Sequence, residues 1–377
     1  MSAPLLRPNT RLLFGCLIVA GATPLVAQQS TTVGGYGEVH YTNSDSTNSP
    51  GSIDLKRFVF YLAHSFNDRI SFRSEVEIED AKVEGGEDGG EVSVEQAYLD
   101  YRFGEPATLR AGLVLVPVGI VNEVHEPPTF NGVDRGLYSD VVIPTTWREL
   151  GLGVAGSIPG VQGLVYRAYL VNGLKAEGFT GAEGIREGRQ EGQNASFANA
   201  ALAGRVEWSR PGLKVGISGY YGGSANGVPG LGSGAFAAPV FIGAIDGRYE
   251  IGAFQFRGEA ATESIRDAAA INAFYGNGVG SRIAGWYLEA AWNALHLLAR
   301  NSSQRLVAFA RYEQDDTHAS VPSGTPRNPA FDRSVATIGL TWKPISQVAF
   351  KGDYRFRRNT AQFQEDNVLS LGIGWMF

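Results

Sequence analysis

Apolar and polar side chains alternate along this chain in one segment after another of roughly ten to fourteen residues, bounded by Gly, Pro, Asn and Asp. In "VAFKGDYRFRR", Val348, Phe350, Gly352, Tyr354 and Phe356 fall on one side and Lys351, Asp353, Arg355 and Arg357 on the other. In "RISFRSEVEIE", Ile70, Phe72, Val76 and Ile78 oppose Arg73, Glu75, Glu77 and Glu79. A period of two is the signature of a strand with two unlike faces, so the chain is all-β, either a sandwich or a barrel. The segment "LSLGIGWMF" sharpens the choice. Leu369, Leu371, Ile373, Trp375 and Phe377 share one face, and only Ser370, Gly372, Gly374 and Met376 share the other. So greasy a strand is an aggregation hazard unless both its edges are paired. Its apolar face needs a second sheet or lipid to cover it, and its small residues are expected to leave open space behind them.

The long apolar run, Leu12 to Ala27, follows Arg7 and Arg11 and has the form of a secretory signal peptide spanning residues 1–27. The single cysteine, Cys16, lies inside it, so the expected mature chain 28–377 carries no disulfide. Losing the two arginines takes the formal charge from -6 to -8. That mild acidity argues against a nucleic-acid partner. No second run approaches the roughly 20 apolar residues of a spanning helix. A membrane could be crossed only by a closed barrel.

Strands are expected near 31–42, 52–65, 69–84, 91–103, 108–119, 149–158, 164–174, 199–210, 213–223, 239–250, 252–265, 281–295, 305–317, 332–345, 348–359 and 367–377. Sixteen is an even number, as in bacterial single-chain barrels. Connections alternate between brief turns such as "FND" and "PGL" and long ones such as 120–148 and 175–198. Short periplasmic turns and long external loops sort in this way, and a soluble sandwich has no reason to do so. Aromatics gather at the lower ends of the even strands, at Tyr101, Phe103, Trp208, Tyr249, Trp292, Trp342, Trp375 and Phe377, as in an interfacial girdle. Tyr41, Tyr221, Tyr312 and Phe356 are candidates for the external one.

The longest connection, 120–148, carries Glu123, His125, Glu126, Asp134, Arg135 and Asp140. Loops of that length in a compact fold are usually functional. The stretches "RFVFYLAHSFNDRISFRSEVEIEDA", "GEVSVEQAYLDYRF", "LRAGLVLVPVGIVNEVHEPPTFNGVDR" and "IPTTWRELGLGV" resemble the bacterial porins grouped with the phosphate-selective porin O/P family, most specifically over residues 53–154. The resemblance implies a homotrimeric, sixteen-stranded outer-membrane channel whose loop at this place folds into the lumen and narrows it. It does not of itself imply phosphate, since fold and solute are separable. Inward parity offers Arg57, Arg73, Arg110, Arg167, Arg205, Arg248, Arg257, Arg311, Lys351, Arg355 and Arg357. Against them stand Glu75, Glu77, Glu79, Asp100, Glu207, Asp246, Glu259, Glu289 and Asp353, so the wall is mixed in sign.

The expectation is therefore one transmembrane antiparallel β-barrel domain, 28–377, acting as an outer-membrane porin for passive diffusion of small hydrophilic solutes or ions, with anion or phosphate preference left open and with no cofactor or metal. Arg73, Arg110, Lys351, Arg355 and Arg357 are its expected pore-lining residues, with Glu123 and Glu126 on constriction loop 120–148. The loop's charges are expected to fix it to the wall rather than to bind solute. A closed structural or receptor barrel is the alternative. An outer-membrane enzyme is disfavoured, because His40, His64, His125, His296 and His318 are scattered and no catalytic spacing surrounds them. The acidic tract 84–91 and the segment 178–200 are expected to be solvated external loops.

Overall fold

A computed structural model describes residues 30–46, 50–81, 90–299, 302–361 and 365–377. The expected signal peptide and most of the acidic tract 84–91 lie outside the described residues. Sixteen strands follow one another around a closed barrel: β1 (Ser30–Ser44), β2 (Ser52–Ser65), β3 (Ile70–Glu79), β4 (Val92–Gly104), β5 (Ala107–Leu115), β6 (Arg148–Ser157), β7 (Leu164–Asn172), β8 (Ala200–Arg210), β9 (Leu213–Gly222), β10 (Val240–Ile251), β11 (Phe254–Ile265), β12 (Arg282–Asn293), β13 (Arg305–Ser320), β14 (Asp332–Ile345), β15 (Val348–Asn359) and β16 (Val368–Met376). Each lies where the alternation places it. The largest differences are at β3, which stops at Glu79 rather than 84, and at β5, which stops at Leu115 rather than 119. Pro117 has no N–H to give a ladder, and the chain leaves the wall there.

The barrel closes where β1 meets β16, with Tyr36 opposite Met376 and Thr42 opposite Ser370. Beyond the last strand, Gly35 and Phe377 exchange both backbone bonds, at 3.0 and 2.9 Å. The greasy terminal strand therefore has no free edge. Its alternate residues Leu371 and Phe377 point outward, 50% and 60% exposed, as part of an apolar belt that includes Ile217, Ile245 and Leu288. Aromatic pairs border the belt at both ends. Tyr101 packs on Phe103 and Trp342 on Phe350 on the short-turn side, and Trp286 packs on Tyr312 and Tyr354 on Phe356 toward the long loops.

The interior departs from expectation in two places. The small inward residues of β16 do not leave open lumen. A Cβ on Gly374 would sit 2.5 Å from the Pro127 side chain, and one on Gly372 would sit 2.8 Å from Val133. These glycines let the long loop lie flush against the wall. Nor is the segment 178–200 a solvated surface loop. Phe179 and Ile185 are fully buried beside Trp147, Tyr138, Tyr220 and Ile271 in an apolar core inside the external half of the barrel. The cause lies in the wall: the inward side chains at the external ends of β5, β7, β10 and β12 are Val114, Val171, Ile242 and Ile283, and the loops fold in to cover them. On the lipid side, Leu288→Arg near the middle of β12 is expected to lower bilayer stability by about 2–4 kcal/mol. Denaturant titration of vesicle-refolded protein measures this, and an unchanged midpoint would place that face against water.

Candidate functional site in the barrel lumen

The connection from β5 to β6 runs through the lumen, and wall side chains hydrogen-bond part of its backbone. Carboxylates of the wall accept its N–H groups: Asp353 from Val133 at 2.6 Å, Glu313 from Tyr138 at 3.2 Å and Glu259 from Ile120 at 3.2 Å. Cations of the wall donate to its carbonyls: Lys343 to Pro128 at 2.6 Å and Arg257 to Thr129 at 3.0 Å. A buried loop is tolerable only when its backbone polar groups find such partners. Asn122 ties the two roots of the loop together. Its amide donates to the carbonyls of Val116 and Trp147, and its oxygen accepts from the Trp147 N–H.

The loop separates two open, charge-lined chambers that have no lining residue in common. The one nearer the short turns, about 720 Å³, contains Arg73, Arg110, Glu123 and Glu126. The external one, about 800 Å³, contains Arg355 and Arg357. The expected pore residues are thus divided, and their surroundings differ. Arg110 holds Asp100 through two bonds of 2.9 and 3.0 Å and stacks on Tyr98 at 3.9 Å. Glu123 pairs with Arg167 at 3.1 Å, Arg355 with Asp134 at 2.7 Å, and Arg357 with Glu365 at 3.2 Å. Among the described residues, the Glu126 carboxylate accepts only a long bond from the Tyr61 hydroxyl, 3.4 Å. Lys351 faces inward but is buried beneath the loop, with Phe130 covering its ammonium at 3.8 Å, so it does not face either chamber. Arg73 is exposed, with no ion-pair partner among the described residues.

Burial shapes the loop's own charges. It pushes the Glu123 carboxyl up, with Arg167 pulling the other way. It works against the Asp134 carboxylate too, but there His40 and Arg355 outweigh it and hold the group well below the usual range. His125 is buried against Glu75 and Glu95, whose carboxylates overcome desolvation and hold the metal-free imidazole at about 10.

Glu95 is a lumen residue that the alternation hid. On β4, Val92 and Val94 face outward at one end and Leu99 and Phe103 at the other, which are incompatible parities. A bulge reconciles them: Glu75 pairs with Gln96 and Val76 with Val94, which leaves Glu95 extra and turned inward. The clash of parities was present in the residues and is the signal that finds it.

No protein-family model matches the chain. A search of known proteins finds an uncharacterized protein of Aquifex aeolicus (strain VF5), 38% identical over 362 residues, covering 93% of this chain and 80% of the relative. The chain belongs to that protein's family. Among solved structures, it is similar to the outer-membrane channel DcaP of Acinetobacter baumannii, with a TM-score of 0.59 at 11% identity over 93% of this chain and 97% of that one. Salmonella typhi OmpF, in complex with daunomycin, gives a TM-score of 0.59 at 14% identity over 92% and 97%. The trimer form of Vibrio cholerae OmpT gives 0.57 at 10% identity over 93% and 99%. The likeness is one of fold, that of bacterial outer-membrane barrels, and the outer membrane is where the apolar belt places this family member.

Removing one wall staple should free the loop locally. Asp353→Ala is expected to speed amide exchange at Val133 by about tenfold or more, corresponding to a buried charge-assisted bond of about 1.5–3 kcal/mol. Exchange mass spectrometry reads this, and unchanged protection of residues 130–136 would show that the staple does not hold the loop.

Proposed function

We propose that the protein is a porin, a water-filled barrel through which small hydrophilic solutes or ions diffuse passively, with segment 120–148 as its constriction. The observation that carries this reading is the long loop held inside a closed barrel by wall side chains, with charge-lined chambers on either side of it. Charges at such a constriction tune which ions pass. Most lumen charges are locally matched, as in the Arg110–Asp100 and Arg205–Asp246 pairs, which argues for modest selectivity. Arg73 and Arg248 have no carboxylate within ion-pair reach among the described residues, and both line the chamber near the short turns. They support a preference for anions, phosphate among them, in keeping with the sequence resemblance. A homotrimer is supported by the same resemblance and by the trimer form of the similar Vibrio cholerae OmpT.

A closed receptor or structural barrel is the second reading. The chambers' lack of any common lining residue and the apolar core in the external half of the lumen favour it.

The zero-current potential of the purified protein in a planar bilayer under a KCl gradient decides between them. An anion-selective conductance is expected, and absence of conductance across many insertions would establish the closed barrel. Arg73→Glu is expected to move the permeability ratio severalfold toward cations, because no carboxylate offsets the arginine it replaces. Arg355→Glu should move it less and also disturb Asp134, with which Arg355 is paired. Equal selectivity in all three proteins would remove these residues from the ion path.

A further inference from the structure

We propose that Glu75, Glu95 and His125 form a binding site for a divalent transition-metal ion of the zinc type, which latches the lumen loop to the wall at β3 and β4. One oxygen of each carboxylate and one imidazole nitrogen lie within 4.8 Å of one another. His125 Nε2 is 3.6 Å from Glu75 Oε1 and 3.5 Å from Glu95 Oε2. Those separations are too long for hydrogen bonds. They are close to the edge of a tetrahedron of ligands around zinc, about 3.3 Å when the bonds are about 2.0–2.1 Å.

Among the described residues, the polar atoms facing this point have no partner but one another. Glu75 and Glu95 are 1% and 0% exposed, and His125 is 3% exposed. Glu75 Oε1, both oxygens of Glu95 and His125 Nε2 are buried without a hydrogen bond. Burying two carboxyl groups without hydrogen bonds at these oxygens is costly. A dication would neutralise both. The second nitrogen of the imidazole is already committed: Nδ1 lies 3.1 Å from the Asn122 carbonyl, to which it donates, so an ion that displaces the Nε2 proton would find that lone pair aimed at the carboxylates. This is the outer-shell arrangement of metal-bound histidines, and Asn122 is itself fixed by the loop roots. Glu75 is steadied in turn by the Gln96 amide, which donates to its other oxygen. Imidazole with carboxylate oxygens suits zinc, iron or nickel better than calcium or magnesium. Three protein ligands leave a fourth position for water.

The bulge in β4 is what brings Glu95 to this point, and the site joins two adjacent wall strands to the loop near its root. It deepens the porin reading by naming what holds the constriction, although metal binding is measured whether or not the barrel conducts.

The test uses the full mature chain, extracted from membranes without chelator and also refolded metal-free and titrated with Zn²⁺ or Co²⁺. One ion per chain is expected, with the visible spectrum of tetrahedral Co²⁺, and loss of that ion in both His125→Ala and the near-isosteric Glu95→Gln. Gel heat-modifiability confirms that each variant folds. No binding by the wild type, or undiminished binding by folded variants, overturns the site. Zinc-edge X-ray absorption of the wild type requires no variant: one imidazole with oxygen neighbours is expected, and a shell of water or of several imidazoles overturns it. If the barrel conducts, chelation should raise or destabilise its conductance. A conducting barrel without metal removes only the site, and a silent barrel with metal removes only the porin reading.

Discussion

Every peptide group of a strand in lipid must find its hydrogen-bond partner within the protein, because the bilayer core offers none. An unsatisfied group there costs several kcal/mol, and an open sheet edge would expose a row of them. The junction of β1 with β16 meets this requirement, down to the reciprocal bonds of Gly35 and Phe377. With the ladder closed, the outward residues are free to be apolar, and Leu371, Ile373 and Phe377 need no second sheet to cover them.

The same accounting governs the lumen. A loop threaded through the barrel would strand its own amides and carbonyls, and the wall supplies their partners. Asp353, Glu313 and Glu259 accept from it, and Lys343 and Arg257 donate to it. Glycine at 372 and 374 makes the approach possible, since a side chain at either place would collide with the loop. Several buried wall charges therefore hold the loop, and others, Arg73 among them, line the chambers.

Much of this was legible in the residues. The strands, their number, the sorting of loops by length and the facing of β3, β15 and β16 follow from a period that each segment displays within its own few residues. The pairing of Glu123 with a wall arginine was also anticipated and is found with Arg167. Glu95 was hidden because a bulge breaks parity, and parity is all that alternation reports. Lys351 was read correctly as inward, yet inward is not the same as open, and Phe130 from a segment more than two hundred residues earlier covers it. The segment 178–200 looked solvated because its glycines, glutamates and arginines outnumber Phe179 and Ile185, the side chains that anchor it.

What the sequence by itself determined is the barrel: strand positions, faces and the lipid belt, because alternation and turn chemistry act between neighbours in the chain. What only the tertiary structure decided is which lumen groups meet water, which meet the loop and which meet one another. Val133 finds Asp353 across 220 positions, and Asn131 finds Glu289 across 158. No local pattern encodes such partners, because they are set by how the closed wall curves around the loop it contains.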